Sequence, residues 1–175
     1  MVTAYLGLGS NLGDRRMALK AAVAALDQHP SIEVDRASGI ASLYETTPVG
    51  VPSPQPPYLN SVVRIGTTLS PEALLEAALS IEAALGRVRS DRFEPRTIDI
   101  DLLLYADLVM DTPSLTLPHP RLHERRFVFD PLAEIAVGVM HPVLKVSIAE
   151  LARLREERPD DRVDRIAGPG WPNSS

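Results

Sequence analysis

Two carboxylates and four arginines stand close together near the middle of this chain. Asp99 and Asp101 are two positions apart in the apolar run IDIDLLLY. Just before that run, the segment GRVRSDRFEPRT contributes four arginines: Arg87, Arg89, Arg92 and Arg96. Acids two positions apart on a strand share one face, with their Cα atoms about 6.6 Å apart. Such a pair beside fixed cations suits a polyphosphate and its Mg²⁺ ions, because Mg²⁺ commonly completes its coordination shell with phosphate oxygens.

Both features also have a simpler interpretation as solvated charges on the protein surface. For the acids we expect a largely buried, central strand instead, because the run continues as LLLY. Acids at the start of such a strand need partners, since an isolated buried carboxylate is costly. Arginine or a divalent metal can supply them, and the sequence favours the metal. The position of the arginines directly before the acids likewise favours a role in binding phosphate.

Other chemistry finds less support in the sequence. GLGSNLG resembles a dinucleotide-binding fingerprint but has three residues between its second and third glycines, so we interpret it as a tight turn before a helix capped by Asn11 or Asp14. The chain has no GxxxxGK[ST] motif, which excludes a P-loop ATPase. His119 and His123 are four residues apart, but Pro118 and Pro120 flank His119 and argue against a helical zinc site.

Aromatic and polar residues outside this region could hold a planar ring. Tyr58 and Asn60 are two positions apart, so on a strand they share one face. A heterocycle stacked on the Tyr58 ring could then form hydrogen bonds with the Asn60 amide. Tyr58 and Phe127 can equally be plain core residues. Three further arginines, Arg121, Arg125 and Arg126, form a second basic patch that could hold the far end of a nucleotide.

Composition restricts the class of protein. With 175 residues, 45% of them apolar, the chain is expected to form one soluble globular domain. It has no run long enough to span a membrane and no signal-peptide pattern, so we expect a cytoplasmic protein. The absence of cysteine excludes disulfides and thiolate metal sites. The net charge of −5 argues against nucleic-acid binding, which depends on a basic surface.

Periodicity and turn residues predict an alternation of strands and helices. The predicted strands are residues 2–8, 32–44, 58–69 and 98–105, and the predicted helices are residues 15–29, 70–86 and 123–136, the last broken at Pro131. Five prolines between Pro48 and Pro57 predict a long irregular loop, which is more often functional than accidental. The pattern predicts an α+β, ferredoxin-like fold with helices on an antiparallel or mixed sheet of four or more strands. We assign residues 1–150 to this domain and 151–175 to a polar extension that is part of it or loosely held, with Trp171 able to pack back on the surface.

Four segments together resemble a known family. YLGLGSNLGDR, ETTPVG with PYLN, GRVRSDRFEPRTIDIDLLLY and LPHPRLHERRFVFDPLAEIA are similar to 6-hydroxymethyl-7,8-dihydropterin pyrophosphokinase of folate biosynthesis. The resemblance covers about residues 4–136. It implies a ferredoxin-like fold and transfer of the β,γ-pyrophosphoryl group of ATP to the hydroxymethyl oxygen of the pterin, with release of AMP.

The resemblance also implies roles for particular residues. Asp99 and Asp101 would hold two Mg²⁺ ions, and Arg87 and Arg96 would act on the phosphates during transfer. The implied ATP-binding residues are Glu82, Arg89, Arg92, Thr116, His119 and Arg125. The implied pterin-binding residues are Thr46, Thr47, Val49, Tyr58, Asn60 and Phe127. The chain departs from the family at Phe93-Glu94, where Trp-Gly is usual, and this puts loop closure and turnover in question.

Two other functions remain open at this stage. A ferredoxin-like regulatory domain would bind a nucleotide without catalysis, but it leaves the paired aspartates unexplained. A two-metal nuclease or phosphatase would explain the acids, but the charge balance is poor for nucleic acid. We expect a monomer whose partners are ATP and a dihydropterin.

Overall fold

A computed structural model describes residues 1–46, 54–86, 97–154 and 163–173 of the chain. These ranges contain eight strands, four α-helices and a 3₁₀ turn. In chain order they are β1 (Val2–Ser10), α1 (Arg15–Gln28), β2 (Ile32–Val34), β3 (Leu43–Thr46), β4 (Tyr58–Thr67), α2 (Pro71–Ala84), β5 (Asp99–Tyr105), β6 (Met110–Asp111), β7 (Thr116–Leu117), α3 (Arg126–Ile135), α4 (Ile148–Leu154), β8 (Val163–Ala167) and the 3₁₀ turn (Trp171–Asn173).

Six of the strands form one sheet in the order β5-β1-β4-β3-β8, with β2 paired to the far end of β4. Every described pairing in it is antiparallel. The extended segment predicted for residues 32–44 is divided into β2 and β3 by a turn. Asp35 causes this division, because its carboxylate accepts hydrogen bonds from the backbone N–H groups of Ala37 and Ser38, both at 3.1 Å, and pairs with Arg64 of β4.

Helices cover both faces of the sheet. Strand residues alternate between the faces, and one face carries apolar side chains that pack against α1 and α2. This first core includes Leu6, Leu8, Leu19, Val23, Leu74, Ala78, Ile100 and Leu102. The second core lies on the opposite face, beneath α3 and α4, and includes Tyr5, Val62, Leu103, Val128, Phe129, Leu132 and Ile148.

The helix ends follow the sequence signals closely. The side chain of Asp14 caps α1 by accepting a hydrogen bond from the N–H of Met17 at 3.1 Å. Ser70 caps α2 in the same way through the N–H of Ala73, and Pro71 is its first residue. Pro131 does not break α3, contrary to the prediction. A proline inside a helix removes one backbone hydrogen bond, and the buried face of α3, which includes Phe129 and Leu132, holds the helix on the sheet.

Strand β5 lies at one end of the strand order, so the expectation of a central strand was wrong. Its apolar side chains are nevertheless buried, because α2 covers one face and the second core covers the other. On its outer edge, the carboxylate of Glu82 accepts a hydrogen bond from the N–H of Ile100 at 2.7 Å. The N–H of His119 donates to the carbonyl of Leu103 at 2.9 Å. Side-chain and loop groups thus take the place of a further strand.

The described part of the C-terminal region is attached to the sheet. Strand β8 pairs with β3, although its charged sequence did not suggest a strand. Trp171 is fully buried in the first core, and its indole N–H donates to the carbonyl of Ala41 at 2.9 Å. For residues 163–173, these contacts agree with the alternative in which the extension is part of the domain and Trp171 packs back on it. None of the helices within the described ranges is both long and apolar enough to cross a membrane.

Candidate active site

The two acids lie on one face of the sheet, next to glycines. Asp99 is directly opposite Gly9 of β1, and Asp101 is opposite Gly7. Both acids are half-buried, while Ile98, Ile100 and Leu102 point into the first core. The alternation along β5 is therefore the one that the sequence predicted, with both carboxylates on the face opposite α1 and α2.

A row of residues connects the acids to the polar end of β4. Gly9 is opposite Asp99 on one side and opposite Asn60 on the other. Residues directly opposite each other in antiparallel strands point to the same face, so Asp99, Gly9 and Asn60 all face the same way. About 10 Å separates the Cα atoms of Asp99 and Asn60, two strand spacings apart. The middle position carries no side chain, so the Asn60 amide and the edge of the Tyr58 ring lie over Gly9.

Gly9 has a specific steric role. A Cβ atom at this position would lie 2.9 Å from Oδ1 of Asn60 and 3.6 Å from Cδ1 of Tyr58. The first distance is too short for a van der Waals contact, so any other residue would displace the amide. Gly7 and Gly9 both belong to β1, which extends to Ser10, two residues beyond the predicted strand, and the predicted turn before the capped helix follows it. Of the three glycines, only Gly13 has a positive φ, at 70°.

The polar end of β4 is organised by hydrogen bonds and strand pairing. Asn60 is buried, and its Nδ2 donates to Oγ1 of Thr46 at 2.7 Å. Thr46 is directly opposite Tyr58, which is half-buried. The structure thus brings Thr46, Tyr58 and Asn60 together on the same face as the acids. With the amide fixed by Thr46, Asn60 Oδ1 lies on the side of Gly9.

Phe127 belongs to the first turn of α3, on this side of the sheet. Its ring is half-buried, and the guanidinium of Arg125 lies over it at 5.5 Å from the ring centre. This distance is in the range of cation–π contacts. Arg125, which was predicted to bind ATP, is therefore in direct contact with Phe127, which was predicted to bind the pterin.

His119 interacts electrostatically with Asp99, and its surroundings favour the neutral imidazole. Its Nδ1 accepts a hydrogen bond from the backbone N–H of Arg121 at 3.2 Å, so Nε2 carries the proton in the neutral ring. Burial lowers the pKa of His119, and the positive charges of Arg125 and Arg121 lower it further, against the opposing effect of Asp99. The ring can thus donate one hydrogen bond from Nε2 to a polar ligand without adding positive charge.

Two other residues predicted for ATP have structural partners. Glu82 is buried, and its carboxylate is directed at the backbone of β5 through the N–H of Ile100. Thr116 lies in the small β6–β7 sheet, where its hydroxyl donates to Oδ1 of Asp111 at 3.2 Å. These contacts explain the positions of both side chains, and their roles towards ATP stay predictions.

Several predicted site residues lie outside the described ranges. They are Thr47, Val49, Arg87, Arg89, Arg92 and Arg96, and the unusual Phe93-Glu94 pair is also among the residues that the structure does not describe. The described site consists of Thr46, Tyr58, Asn60, Asp99, Asp101, His119, Arg125 and Phe127. Sequence reasoning missed Gly7 and Gly9 as part of it. The alternation YLGLGS contained the signal, because its small residues share one face of a strand.

The acids fit a hard cation that takes the remainder of its ligands from elsewhere. In the described ranges no group of three or more His, Asp and Glu side chains is arranged to hold a metal ion. Two half-buried carboxylates on one face supply oxygen ligands but leave most of a coordination shell open. Mg²⁺ has this requirement, since it binds through one or two carboxylates plus water and substrate phosphates.

Comparisons with known proteins identify the family of the chain. Residues 5–137 match the family model described as 7,8-dihydro-6-hydroxymethylpterin-pyrophosphokinase (HPPK). The chain is 49% identical over 136 residues to the 2-amino-4-hydroxy-6-hydroxymethyldihydropteridine pyrophosphokinase of Bacillus subtilis, covering 78% of this chain and 79% of the relative. It is 50% identical over 136 residues to the protein of that name from Methylorubrum extorquens, covering 78% and 84%.

Solved structures show the same fold at lower identity. A wild-type HPPK-DHPS of Plasmodium falciparum with pteroate superposes with a TM-score of 0.70 at 13% identity, over 91% of this chain and 47% of that one. An HPPK-DHPS in complex with substrates gives 0.68 at 12% identity, over 87% and 43%. The chain spans about half the length of these solved structures, so the likeness concerns one part of each.

Proposed function

Because the chain belongs to the 7,8-dihydro-6-hydroxymethylpterin-pyrophosphokinase family, we propose that its face of paired acids, glycines and Asn60 is the site of the family reaction. The enzyme transfers the β,γ-pyrophosphoryl group of ATP to the hydroxymethyl oxygen of 6-hydroxymethyl-7,8-dihydropterin. The products are the pterin diphosphate and AMP, and the reaction belongs to folate biosynthesis. The observation that carries the site assignment is the row formed by Asp99, Gly9 and Asn60 across three strands.

The acid end of this row is assigned to the phosphates. Asp99 and Asp101 hold Mg²⁺, two ions in this proposal, and the bound metal would neutralise phosphate charge and align the attacking and leaving oxygens. Both carboxylates project from one strand in fixed register with β1. This rigidity favours catalysis, because phosphoryl transfer depends mainly on positioning and charge neutralisation.

The other end of the row is assigned to the pterin. The ring stacks between Tyr58 and Phe127, while Asn60, held by Thr46, reads its polar edge. Thr47 and Val49 complete this pocket. Gly9 lets the Asn60 amide lie over β1, and the hydroxymethyl group extends from the ring towards the acids. The distance of about 10 Å between the two ends is of the size needed for a ring and its substituent.

The remaining residues are assigned to ATP and to the transfer step. Thr116, His119 and Arg125 contact the nucleotide together with Glu82, Arg89 and Arg92, and His119 offers its Nε2 proton as a hydrogen-bond donor. Arg87 and Arg96 act on the phosphates. The hydroxymethyl oxygen attacks the β-phosphorus, the bond from that phosphorus to the α,β-bridging oxygen breaks, and AMP leaves with that oxygen.

Three broader features complete the proposal. The chain order β1-α1-β3-β4-α2-β5 and the sheet order β5-β1-β4-β3 support a ferredoxin-like arrangement for the central part of the sheet. Residues 1–150 form the catalytic domain, and β8, within the 151–175 extension, adds a strand to its sheet. The enzyme acts as a monomer in the cytoplasm, and its partners are small molecules, not nucleic acid or membrane.

The direct test is a coupled assay for AMP with ATP, Mg²⁺ and 6-hydroxymethyl-7,8-dihydropterin. We expect AMP and the pterin diphosphate in equal amounts, and no AMP when the pterin is left out. AMP formation independent of the pterin would contradict the proposal. ATP binding without any AMP would instead support a regulatory domain that binds nucleotide without catalysis.

A further inference from the structure

The first turn of α1 carries an unusual charge. It begins with Arg15 and Arg16 and contains no acidic residue. The N-terminal end of a helix bears a partial positive charge, so carboxylates are favoured there and arginines are not. A residue that departs from such a local rule is expected to make a contact elsewhere that compensates for the loss. For Arg15, the compensating contacts are those with Pro57 and Glu45.

Arg15 joins the two ends of the proline-rich segment. Its Nη1 donates to the carbonyl of Pro57 at 2.7 Å, and its Nη2 lies 3.0 Å from a carboxylate oxygen of Glu45. Glu45 lies near the end of β3, where the chain leaves towards residues 47–53. Pro57 directly precedes β4, where the chain has returned. The planar guanidinium thus holds both ends of the segment with one side chain.

Asn11 strengthens the same connection from the preceding turn. It is buried, and its Nδ2 donates to Oε1 of Gln55 at 3.1 Å and to the carbonyl of Pro56 at 3.3 Å. Together, Asn11 and Arg15 bind three consecutive residues, Gln55, Pro56 and Pro57. The turn between β1 and α1 therefore fixes the backbone that leads into β4.

The anchored residues are sequence neighbours of the pterin-binding candidates. Thr46 follows Glu45, Tyr58 follows Pro57, and Thr46 and Tyr58 are opposite each other in the β3–β4 pair. We propose that Arg15 is a positioning residue for the pterin pocket, acting through Pro57 and Glu45 on Tyr58 and Thr46. This inference rests on the proposed assignment of Tyr58, Asn60 and Thr46 to the pterin. The described contacts of Arg15 involve neither the acids nor the residues assigned to ATP.

The test measures binding of the two substrates separately in Arg15→Ala and Arg15→Lys. Titrations use 6-hydroxymethyl-7,8-dihydropterin with a non-hydrolysable ATP analogue and Mg²⁺ present, and then the analogue alone. We expect Arg15→Ala to weaken pterin binding about tenfold, the loss of one charge-assisted hydrogen bond, and to change analogue binding less than about twofold. Arg15→Lys keeps the positive charge but not the planar guanidinium that contacts two partners at once. Its affinity for the pterin should therefore lie between those of wild type and Arg15→Ala.

Arg36→Ala is the matched control. Arg36 also forms an arginine–carboxylate pair, with Asp27 at 2.7 Å, but it follows Val34 of β2, which is opposite Ile65 of β4 and distant from Tyr58 along that strand. The Arg36→Ala variant should bind the pterin with the affinity of wild type. Pterin binding by Arg15→Ala within about twofold of wild type, or an equal loss of pterin and analogue binding, would overturn the inference. If Arg15→Ala does not fold, wild-type pterin affinity in Arg15→Lys overturns it. Wild-type protein that neither binds the pterin nor forms AMP would instead contradict the proposed function.

Discussion

The two faces of the sheet use the same strands for different purposes. On the face covered by α1 and α2, β1 and β5 contribute apolar side chains such as Leu6, Leu8, Ile100 and Leu102. On the opposite face, the part beneath α3 is apolar and the adjoining part is polar. That polar part carries two glycines on β1, two acids on β5 and Asn60 on β4.

This difference shows how one strand can serve stability and chemistry at once. In β1, Leu8 packs into the first core, while its neighbours Gly7 and Gly9 leave room on the other face for the side chains of Leu103 and Asn60. The buried face fixes the register of the strands, because a slip of one residue would turn every apolar side chain outward. That fixed register then determines which polar residues meet across the strands.

If the two acids have only a structural role, the distinction between a stabilising face and a catalytic face fails. Asp99→Ala and Asp101→Ala should each lower kcat/KM for pyrophosphoryl transfer by about a thousandfold or more, because a proposed ligand of the metal is lost. Both side chains are half-exposed, so the melting temperature should change little. Asp107→Ala, which removes an exposed acid just past β5, should behave like wild type. Turnover near the wild-type value in either of the first two variants would refute the metal assignment.

A substitution on the opposite face should have the opposite signature. Leu8→Ala creates a cavity in the first core and should lower the free energy of unfolding by about 2–5 kcal/mol. The KM values of the protein that remains folded should stay close to wild type, since Leu8 points away from the site. Urea unfolding and assays at low temperature separate the two effects. A large rise in the KM for the pterin with unchanged stability would show that the two faces are not independent.

Gly9→Ala tests the middle position of the row formed by Asp99, Gly9 and Asn60. The new Cβ would lie 2.9 Å from Oδ1 of Asn60, so the amide must move. We expect the affinity for the pterin to fall about tenfold, with a modest loss of stability from overpacking. Gly138→Ala is the control, because a Cβ there meets no atom within 4 Å. Equal pterin affinity in the two variants would remove Gly9 from the site.

The smallest expected effect is a pH dependence of stability. It arises in the apolar part of the face opposite α1 and α2, where His141 is buried beside His123. Burial lowers the pKa of His141, and the neighbouring His123 adds to this effect. Between the lowered value and the ordinary value of about 6.5, the unfolded chain binds more protons than the folded one. The free energy of unfolding should therefore decrease as the pH falls through this interval.

His141→Asn tests this pH dependence. The asparagine oxygen can replace Nδ1 as the acceptor for the N–H groups of Val143 and Leu144, but the side chain does not titrate. Urea unfolding at pH 7.5 and pH 5.5 should show a smaller decrease in the variant than in wild type. Equal decreases in both proteins would show that His141 does not contribute.

Much of the local structure could be predicted from the sequence. The caps Asp14 and Ser70, the start of α2 at Pro71 and the common face of Asp99 and Asp101 all depend on residues within a few positions of each other. The resemblance to the family was predicted from four short segments and is confirmed by the comparisons. The predictions that were wrong concern features that depend on tertiary contacts. Pro131 stays inside a helix that the core holds in place, and β5 lies at the end of the sheet, where Glu82 and His119 bind its outer edge.

The sequence by itself determined which side chains share a face, because alternation along a strand and periodicity along a helix are local properties of the backbone. Only the tertiary structure decided which faces meet. Gly9 joins Asp99 to Asn60, and Arg15 reaches Pro57 across 42 positions, because strand order and register depend on burying apolar surface from distant parts of the chain. Neither contact has a local signal, and together they connect the acids, the proposed pterin pocket and the segment that leads into it.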